Sequence, residues 1–476
     1  MVKKEKVVSV NNPIVQKKIN NSLELSIKEG SAASSAIGFG ESYISPFAIA
    51  LNATAAQMGI LYAVIGLLPS LVQLKSTTLI EKFPRKKIAI TTALWRALLW
   101  IPIILTGILS YLGVPHMVWL LILLVGLNYA FGAMASPVWF SWMGSLVPEE
   151  RRGDYFSRRN RTKGFFGIIT MIAGAMVLDG FKKIGGASGE TLGFTLLGFG
   201  LIFVFAAIAR LSSWRLLHKQ YEPRLKIKKK DYFSFKDFLK KGISTPFGRF
   251  TLFRGAFSVV IGISTPFWTV YMLRDLGFSY VWYMMITVSA VVFQLIFLPL
   301  LGKFSDRFGN VKLMKMCTWL IVTNPLWWIA SVLITNDLMV KLYLLIIPSI
   351  IAGFAAGGFN LAVNNYVYDA VKSTKRSFGL SYMNLMVGVG AFIGAVTGSL
   401  LAWINISFMN PILFIFAISA TGRLLVAIFG LRLLHEVRHI HKFSSQYLIK
   451  EFQPMVGVVR EIHYLEHIVK KVEHHI

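Results

Sequence analysis

GKFSDRFGNVK, residues 302–312, sets two glycines, an acid and an arginine between stretches that are otherwise almost wholly apolar: VVFQLIFLPLL (291–301) before it and LMKMCTWLIV (313–322) after it. In a water-soluble chain this would be an ordinary surface turn. The flanks argue otherwise: of 476 residues 55% are hydrophobic and 15% charged, with 36 Phe and 12 Trp, more apolar surface than one globular core buries. A bilayer core of about 30 Å needs about 20 apolar residues per helix, and runs of that length recur down the chain. The short alternating segments of a membrane barrel are absent. Residues 1–30 are polar and lysine-bearing, without the apolar run of a secretory leader, and a single cysteine, Cys317, excludes an intrachain disulfide.

The apolar runs predict twelve membrane helices, at 31–52, 56–74, 88–111, 117–147, 164–183, 190–214, 250–273, 279–301, 312–334, 340–369, 377–403 and 409–432. The formal net charge of +28 would suit a nucleic-acid surface, but it follows alternate loops. Counted with the adjoining helix ends, the loops after helices 2, 4, 6, 8 (302–315) and 10 hold five, six, eleven, four and three Lys or Arg, and the other side holds four in all, Lys182, Lys183, Arg274 and Lys341. That asymmetry places the basic loops and both termini in the cytoplasm, and no nucleic-acid motif is present to claim the charge. The expectation is an all-α membrane protein in the cytoplasmic membrane, in contact with lipid and with no nucleic-acid partner.

The chain also repeats itself. SPF at 45–47 answers TPF at 265–267, and Glu81-Lys82-Phe83 answers Asp306-Arg307-Phe308. RRGDYFSRRN (151–160) answers KRSFGLSYMN (375–384), and RLLH ends both helix 6 (215–218) and helix 12 (432–435). The matches are collinear, so two six-helix halves in the same orientation are predicted. The expected organisation is a cytoplasmic segment (1–30), a first bundle (31–218), a basic linker (219–249), a second bundle (250–434) and a His-rich cytoplasmic tail (435–476).

On these residues the chain resembles the major facilitator superfamily. Gly302, Asp306, Arg307, Gly309 and Lys312 match its G-x-x-x-D-R-x-G-x-x-[RK] loop between helices 8 and 9, and VPEERRGDYFSRRNR (147–161) is similar to its P-E-x-x-R-G-x-x-F loop. The resemblance covers about residues 30–435. It is imperfect: the first-half copy of the loop, TTLIEKFPRKK, carries Thr77 and Pro84 at the glycine positions, helix 4 lacks the arginine linked with proton antiport, and helix 5 lacks the G-P-x-x-G-G of many drug exporters. The resemblance implies a conformational latch of Gly302, Asp306, Arg307, Gly309 and Lys312, with Glu81, Arg152 and Arg376 at matching positions. Gly302 would allow close helix approach, Asp306 would face the positive end of a helix, and Arg307 would meet Asp369; the alternative is a polar turn that simply obeys the positive-inside rule.

The resemblance also implies a cavity lined by helices 1, 4, 7 and 10, which directs attention to their polar and aromatic residues. Glu41 lies about 15 Å into helix 1, where a carboxylate is costly unless paired, hydrated or protonated; it is either a proton-coupling site or a structural hydrogen-bonding group. Helix 4 supplies Trp139 and Trp142, helix 7 Trp268 and Tyr271, each either a ligand contact or packing. Asn360 and Asn364 share a face of helix 10. Arg96 and Arg423 sit deep enough to bind an anionic substrate or to pair with Glu41, whereas Arg254 is expected to snorkel to the interface. Gly390, Gly394 and Gly398 read as a close-packing stripe. Histidines 435/439 and 463/467 in the tail have a spacing that could hold a metal, but the surrounding charge favours a solvated helix, and no metal or cofactor is expected. No nucleotide motif is present. The reading is a monomeric secondary transporter, not an enzyme, moving a small solute by alternating access with protons as coupling ion. An efflux antiporter, or a transport-dead sensor signalling through the tail, is the alternative.

Overall fold

The computed structural model describes residues 13–148, 152–223, 244–371, 376–404 and 409–437, together with Phe238 and Lys240. The middle of the basic linker (224–237, 239 and 241–243) and the His-rich tail beyond residue 437 fall outside these residues. Twelve helices follow one another. They are α1 (Pro13–Phe39, resuming as Ile44–Ala50), α2 (Ala55–Lys82), α3 (Arg85–Leu98 and Trp100–Tyr111), α4 (Met117–Leu146), α5 (Arg152–Ser188) and α6 (Thr191–Lys219). The second half holds α7 (Pro246–Ser264, resuming as Phe267–Val270 and a π turn to Asp275), α8 (Tyr280–Phe308), α9 (Asn310–Ala330), α10 (Asp337–Ala370), α11 (Arg376–Leu401) and α12 (Pro411–Gly430).

Eleven of these are long and apolar enough to cross a membrane. The exception is α1, which starts well before the expected residue 31. Hydropathy missed its first turns because the buried face is built from Ile19, Ser22, Ser26 and Glu29, helically spaced but mostly polar. The expected loop 148–163 is likewise mostly the first turns of α5. Side-chain caps start several helices, as in the capping box where Thr54 Oγ1 accepts from Gln57 N and the Gln57 side chain accepts from Thr54 N. Between α8 and α9, Gly309 at φ +92° makes the turn, a conformation costly for any residue with a Cβ.

Within the first half α1 packs on α5 and α6, and α4 on α2 and α3; within the second half α7 packs on α11 and α12, and α10 on α8 and α9. The pairing is the same in both, as the sequence repeat requires. At the end away from the basic loops one apolar core spans both halves, joining Phe47, Phe199 and Phe203 to Phe267, Tyr271 and Met284. At the basic-loop end there are two cores, Ile19, Trp142, Met143 and Leu217 in one half and Phe250, Phe308, Leu313 and Tyr366 in the other. The halves therefore share one core at one end and keep separate cores at the other, where they still touch along α2 and α11 through Ser70 with Gly388 and Gln73 with Asn384; beside that seam the cleft between them faces the basic loops.

Candidate functional site

The repeated Ser/Thr-Pro-Phe marks lie where α1 and α7 are interrupted. A proline lacks the N–H that continues the helical ladder, and both helices change course beside it, through a 3-10 turn at Glu41–Tyr43 and between Ser264 and Phe267. Close packing adds to the first break, since a Cβ on Gly40 would stand 2.3 Å from the Trp100 ring.

Each break is held by an arginine from the last helix of its own half. Glu41 Oε1 accepts from Arg210 Nη2 at 3.1 Å and also from Arg96 Nη2. Arg96 Nε donates to Asn128 Oδ1 at 3.1 Å, and Asn128 Nδ2 returns a bond to the Arg96 carbonyl at 3.3 Å. In the second half Arg423 Nη2 donates to Ser264 Oγ at 2.7 Å and Nη1 to the Ile321 carbonyl at 3.0 Å. The elements correspond: α1, α3 and α6 in one half, α7, α9 and α12 in the other. Glu41 thus joins Arg96, but Arg423 does not reach it and works in the opposite half. Arg210 was not singled out from sequence, although a lone cation in the apolar run of α6 was the available signal.

A second charged cluster stands nearer the basic-loop end of the first half. Arg159 Nη2 donates to Glu29 Oε2 at 3.1 Å, Ser213 Oγ to Glu29 Oε1 at 2.9 Å, and Arg159 Nε to the Ser26 carbonyl at 3.2 Å. The Arg159 guanidinium lies 4.0 Å from the centre of the Trp139 ring, a stacked cation–π pair. Trp139 therefore belongs to a charged cluster. Trp142 does not: it is fully buried in the core and donates Nε1 to the Tyr221 carbonyl at 2.9 Å. Trp268 stacks on Phe416 at 4.0 Å and meets Trp328 at 4.9 Å, and the Tyr271 hydroxyl lies 2.9 Å from Ser331 Oγ. Both pack in the shared core of the joined end.

Helical geometry locates Asn360 and Asn364. On α10, Phe359 and Tyr366 face α7, Gly358 faces Cys317 of α9, and Gly353 and Gly357 face α8. At about 100° per residue, Asn360 falls in the sector between the α7-facing and α8-facing residues, with Asn364 at its margin, and both are exposed. Arg254 is not at the interface as expected. Its guanidinium lies over the Phe359 ring at 4.9 Å, about 12 Å along α7 from Pro246.

The latch residues divide similarly. Asp306 and Arg307 end α8 and Lys312 lies in the first turn of α9. Asp369 Oδ2 is engaged by Asn310 Nδ2 at 2.8 Å and not by Arg307. Arg376 lies over the Tyr368 ring at 4.5 Å and donates to the Tyr368 carbonyl at 3.1 Å. A Cβ on Gly302 would meet nothing within 4 Å among the described residues, so close helix approach is not what that glycine serves. The side chains of Glu81 and Arg152 lie outside the described residues.

At the joined end the halves meet through charge that the sequence reading overlooked. Asp179 of α5 accepts from Tyr280 N at Oδ1 and from Val281 N at Oδ2, both at 2.9 Å, capping the first turn of α8, and Arg274 Nη2 donates to the Ala53 carbonyl at 2.8 Å. A charge at a helix terminus contributes up to about 2 kcal/mol when partly buried. Asp179→Ala is therefore expected to move the conformational population away from the joined state by up to about thirtyfold. Distances between spin labels set across that end measure it; an unchanged distribution removes Asp179 from gating.

Two parallel six-helix repeats, joined at one end around a cleft open at the other, define a multi-span membrane transporter. The chain belongs to the Major Facilitator Superfamily, whose profile matches residues 31–282 and again 252–447. Similar solved structures include the xylose transporter XylE from E. coli in its inward open conformation (14% identity, 88% of this chain and 97% of that one, TM-score 0.65). A mutant of the nucleoside transporter NupG is also similar (14% identity, 87% and 100%, TM-score 0.63), as is a bacterial homologue of the iron transporter ferroportin (14% identity, 90% and 100%, TM-score 0.59). Among curated proteins none matches the chain in sequence. Identities this low show a shared fold and leave the solute open.

Proposed function

We propose that the protein is a monomeric secondary active transporter that moves a small solute across the cytoplasmic membrane by alternating access, with protons as the coupling ion. The supporting observation is the asymmetry of the halves, one shared core at one end and two separate cores at the other, which is one of the two states that rocking about a central site requires. The basic-loop end and both termini are cytoplasmic in this reading, on the positive-inside distribution of Lys and Arg. Glu41 and Glu29 are the carboxylates proposed for coupling, since both sit inside the first half in contact with arginines carried by other helices of that half. The 302–312 stretch, with Asn310 on Asp369, is proposed as the latch of the cytoplasmic end.

Proteoliposomes test the reading: solute flux should follow an imposed pH gradient and collapse when a protonophore dissipates it. The direction of flux separates uptake from efflux. Gradient-independent flux would remove proton coupling, and absence of flux in either direction would favour a sensor. Orientation is checked separately. Cys317 is fully buried, so the wild-type background is silent to an impermeant thiol reagent. Cysteine at Asn52 or Asn336 is expected to react from outside intact cells, and cysteine at Lys87 or Lys303 only after permeabilisation; the reverse pattern inverts the topology.

A further inference from the structure

We propose that Arg254 is the anion-recognising residue of the cleft, and that the transported solute carries a carboxylate or phosphate group; this rests on the transport reading above. Among the described residues, the other buried guanidiniums each have an oxygen acceptor. Arg85 has Glu222 and Ser145, Arg96 and Arg210 share Glu41, Arg159 has Glu29, and Arg423 has Ser264 and a carbonyl. Arg254 has none among them. Its Nε is buried without a hydrogen-bond partner, and its guanidinium lies over the face of Phe359.

The acids of the second half cannot serve it. Asp275, Asp306, Asp337 and Asp369 all stand at helix ends and Glu436 follows the last helix, so among the described residues the interior of this half carries Arg254 and Arg423 with no carboxylate. Arg254 is half-buried with its Nε shielded from water, and the ring attraction offsets only part of the cost of a cation at that depth without a counter-charge. Helices α7 and α10 leave its direction open. On α7, Phe250 and Phe257 face α10 while Gly255, Ser258 and Gly262 face α11. Arg254 points between these two stripes, and Asn360 occupies the adjoining open sector of α10. Both therefore face the cleft.

The chemistry selects the ligand class. Guanidinium is planar, weakly hydrated and fork-shaped, and matches the two oxygens of a carboxylate or phosphate. The Phe359 contact holds the guanidinium over that ring at 4.9 Å and takes up none of its N–H groups. Asn360, neutral and able to donate and accept, suits the uncharged polar remainder of the solute. The first half offers no equivalent, because the arginine that meets its corresponding aromatic, Arg159 on Trp139, comes from α5 and is already neutralised by Glu29.

The test uses the full chain in proteoliposomes loaded with three pools: small mono- and dicarboxylates, sugar phosphates, and neutral sugars with nucleosides, with loss of each compound followed by mass spectrometry. Loss is expected from one of the two anionic pools, which distinguishes carboxylate from phosphate. Arg254→Met keeps the packing on Phe359 and is expected to slow that loss by at least about tenfold, without lowering the ligand-free melting temperature, while Arg254→Lys falls between. Neutral compounds leaving equally from wild type and Arg254→Met would overturn the anion inference and leave transport standing. Anion loss unaffected by Arg254→Met would make Arg254 a structural brace. No loss from any pool would overturn the transport reading itself, and this inference with it.

Discussion

Glu41→Gln is expected to cost the folded protein about 3–5 kcal/mol, because it strips the negative charge from a site where two guanidiniums, Arg96 and Arg210, converge on one carboxylate oxygen. Glutamine keeps the oxygen and the shape. What it removes is the counter-charge, and the low-dielectric interior makes that the expensive part. The cost should fall on the break in α1, since Glu41 opens the turn at Glu41–Tyr43 and its partners come from α3 and α6. Thermal unfolding in detergent measures it. The second arm separates charge from shape: Glu41→Gln with Arg210→Met restores the cluster's original net charge, leaving Arg96 on Asn128, and should recover most of the loss. If the single variant melts like wild type, Glu41 does not brace the helix, and its proposed part in proton coupling becomes the better account of a carboxylate at that depth.

Eleven spans, the repeat and the end carrying the basic loops were legible in the sequence, because membrane insertion writes them as long apolar runs and a Lys/Arg asymmetry; of α1 only the later turns were. The Ser/Thr-Pro-Phe repeat was visible too, but its meaning as paired helix breaks was not, since a proline within an apolar run does not say which partner holds the kink. Long-range pairing was the main loss. Glu41 with Arg96 was a considered pairing, but Arg210 and Arg159 were hidden, one in an apolar run and the other in a stretch taken for a basic loop. Their partners, Glu41 and Glu29, are 169 and 130 residues away. Aromatic residues were the least informative. Trp139 and Trp142 lie three apart on one helix, yet one meets a guanidinium and the other fills a core, because which side of a helix faces the cleft depends on neighbours the local pattern does not encode. Asn360 is legible only with α7, α8 and α9 in place around it.

Two glycines six residues apart on α11 should answer differently to the same substitution, and the difference tests how the halves move. Gly394 faces its own half: a Cβ there would stand 2.0 Å from the Val259 carbonyl and 2.9 Å from Gly262 Cα, both in α7. Gly394→Leu should therefore break the packing of the second half and lower the melting temperature. Gly388 faces the first half, where a Cβ would stand 2.1 Å from Ser70 Oγ and 2.7 Å from the Gly66 carbonyl. Rotating the serine relieves the first contact, but the second is backbone, so α2 must withdraw from α11. Overpacking of this kind costs about 1–3 kcal/mol. Along this seam Gly59 meets Ser399, Gly66 meets Ala391 and Gln73 meets Asn384, so the strain falls on the contact between halves and on neither bundle alone. Gly388→Leu should then shift the population away from the state open at the basic-loop end by about fivefold to about 150-fold, arresting transport with little loss of melting temperature. Spin labels on the two basic-loop faces read the shift. If Gly388→Leu instead lowers the melting temperature as Gly394→Leu does and leaves the distances alone, the α2–α11 seam is a rigid weld and the halves must pivot elsewhere.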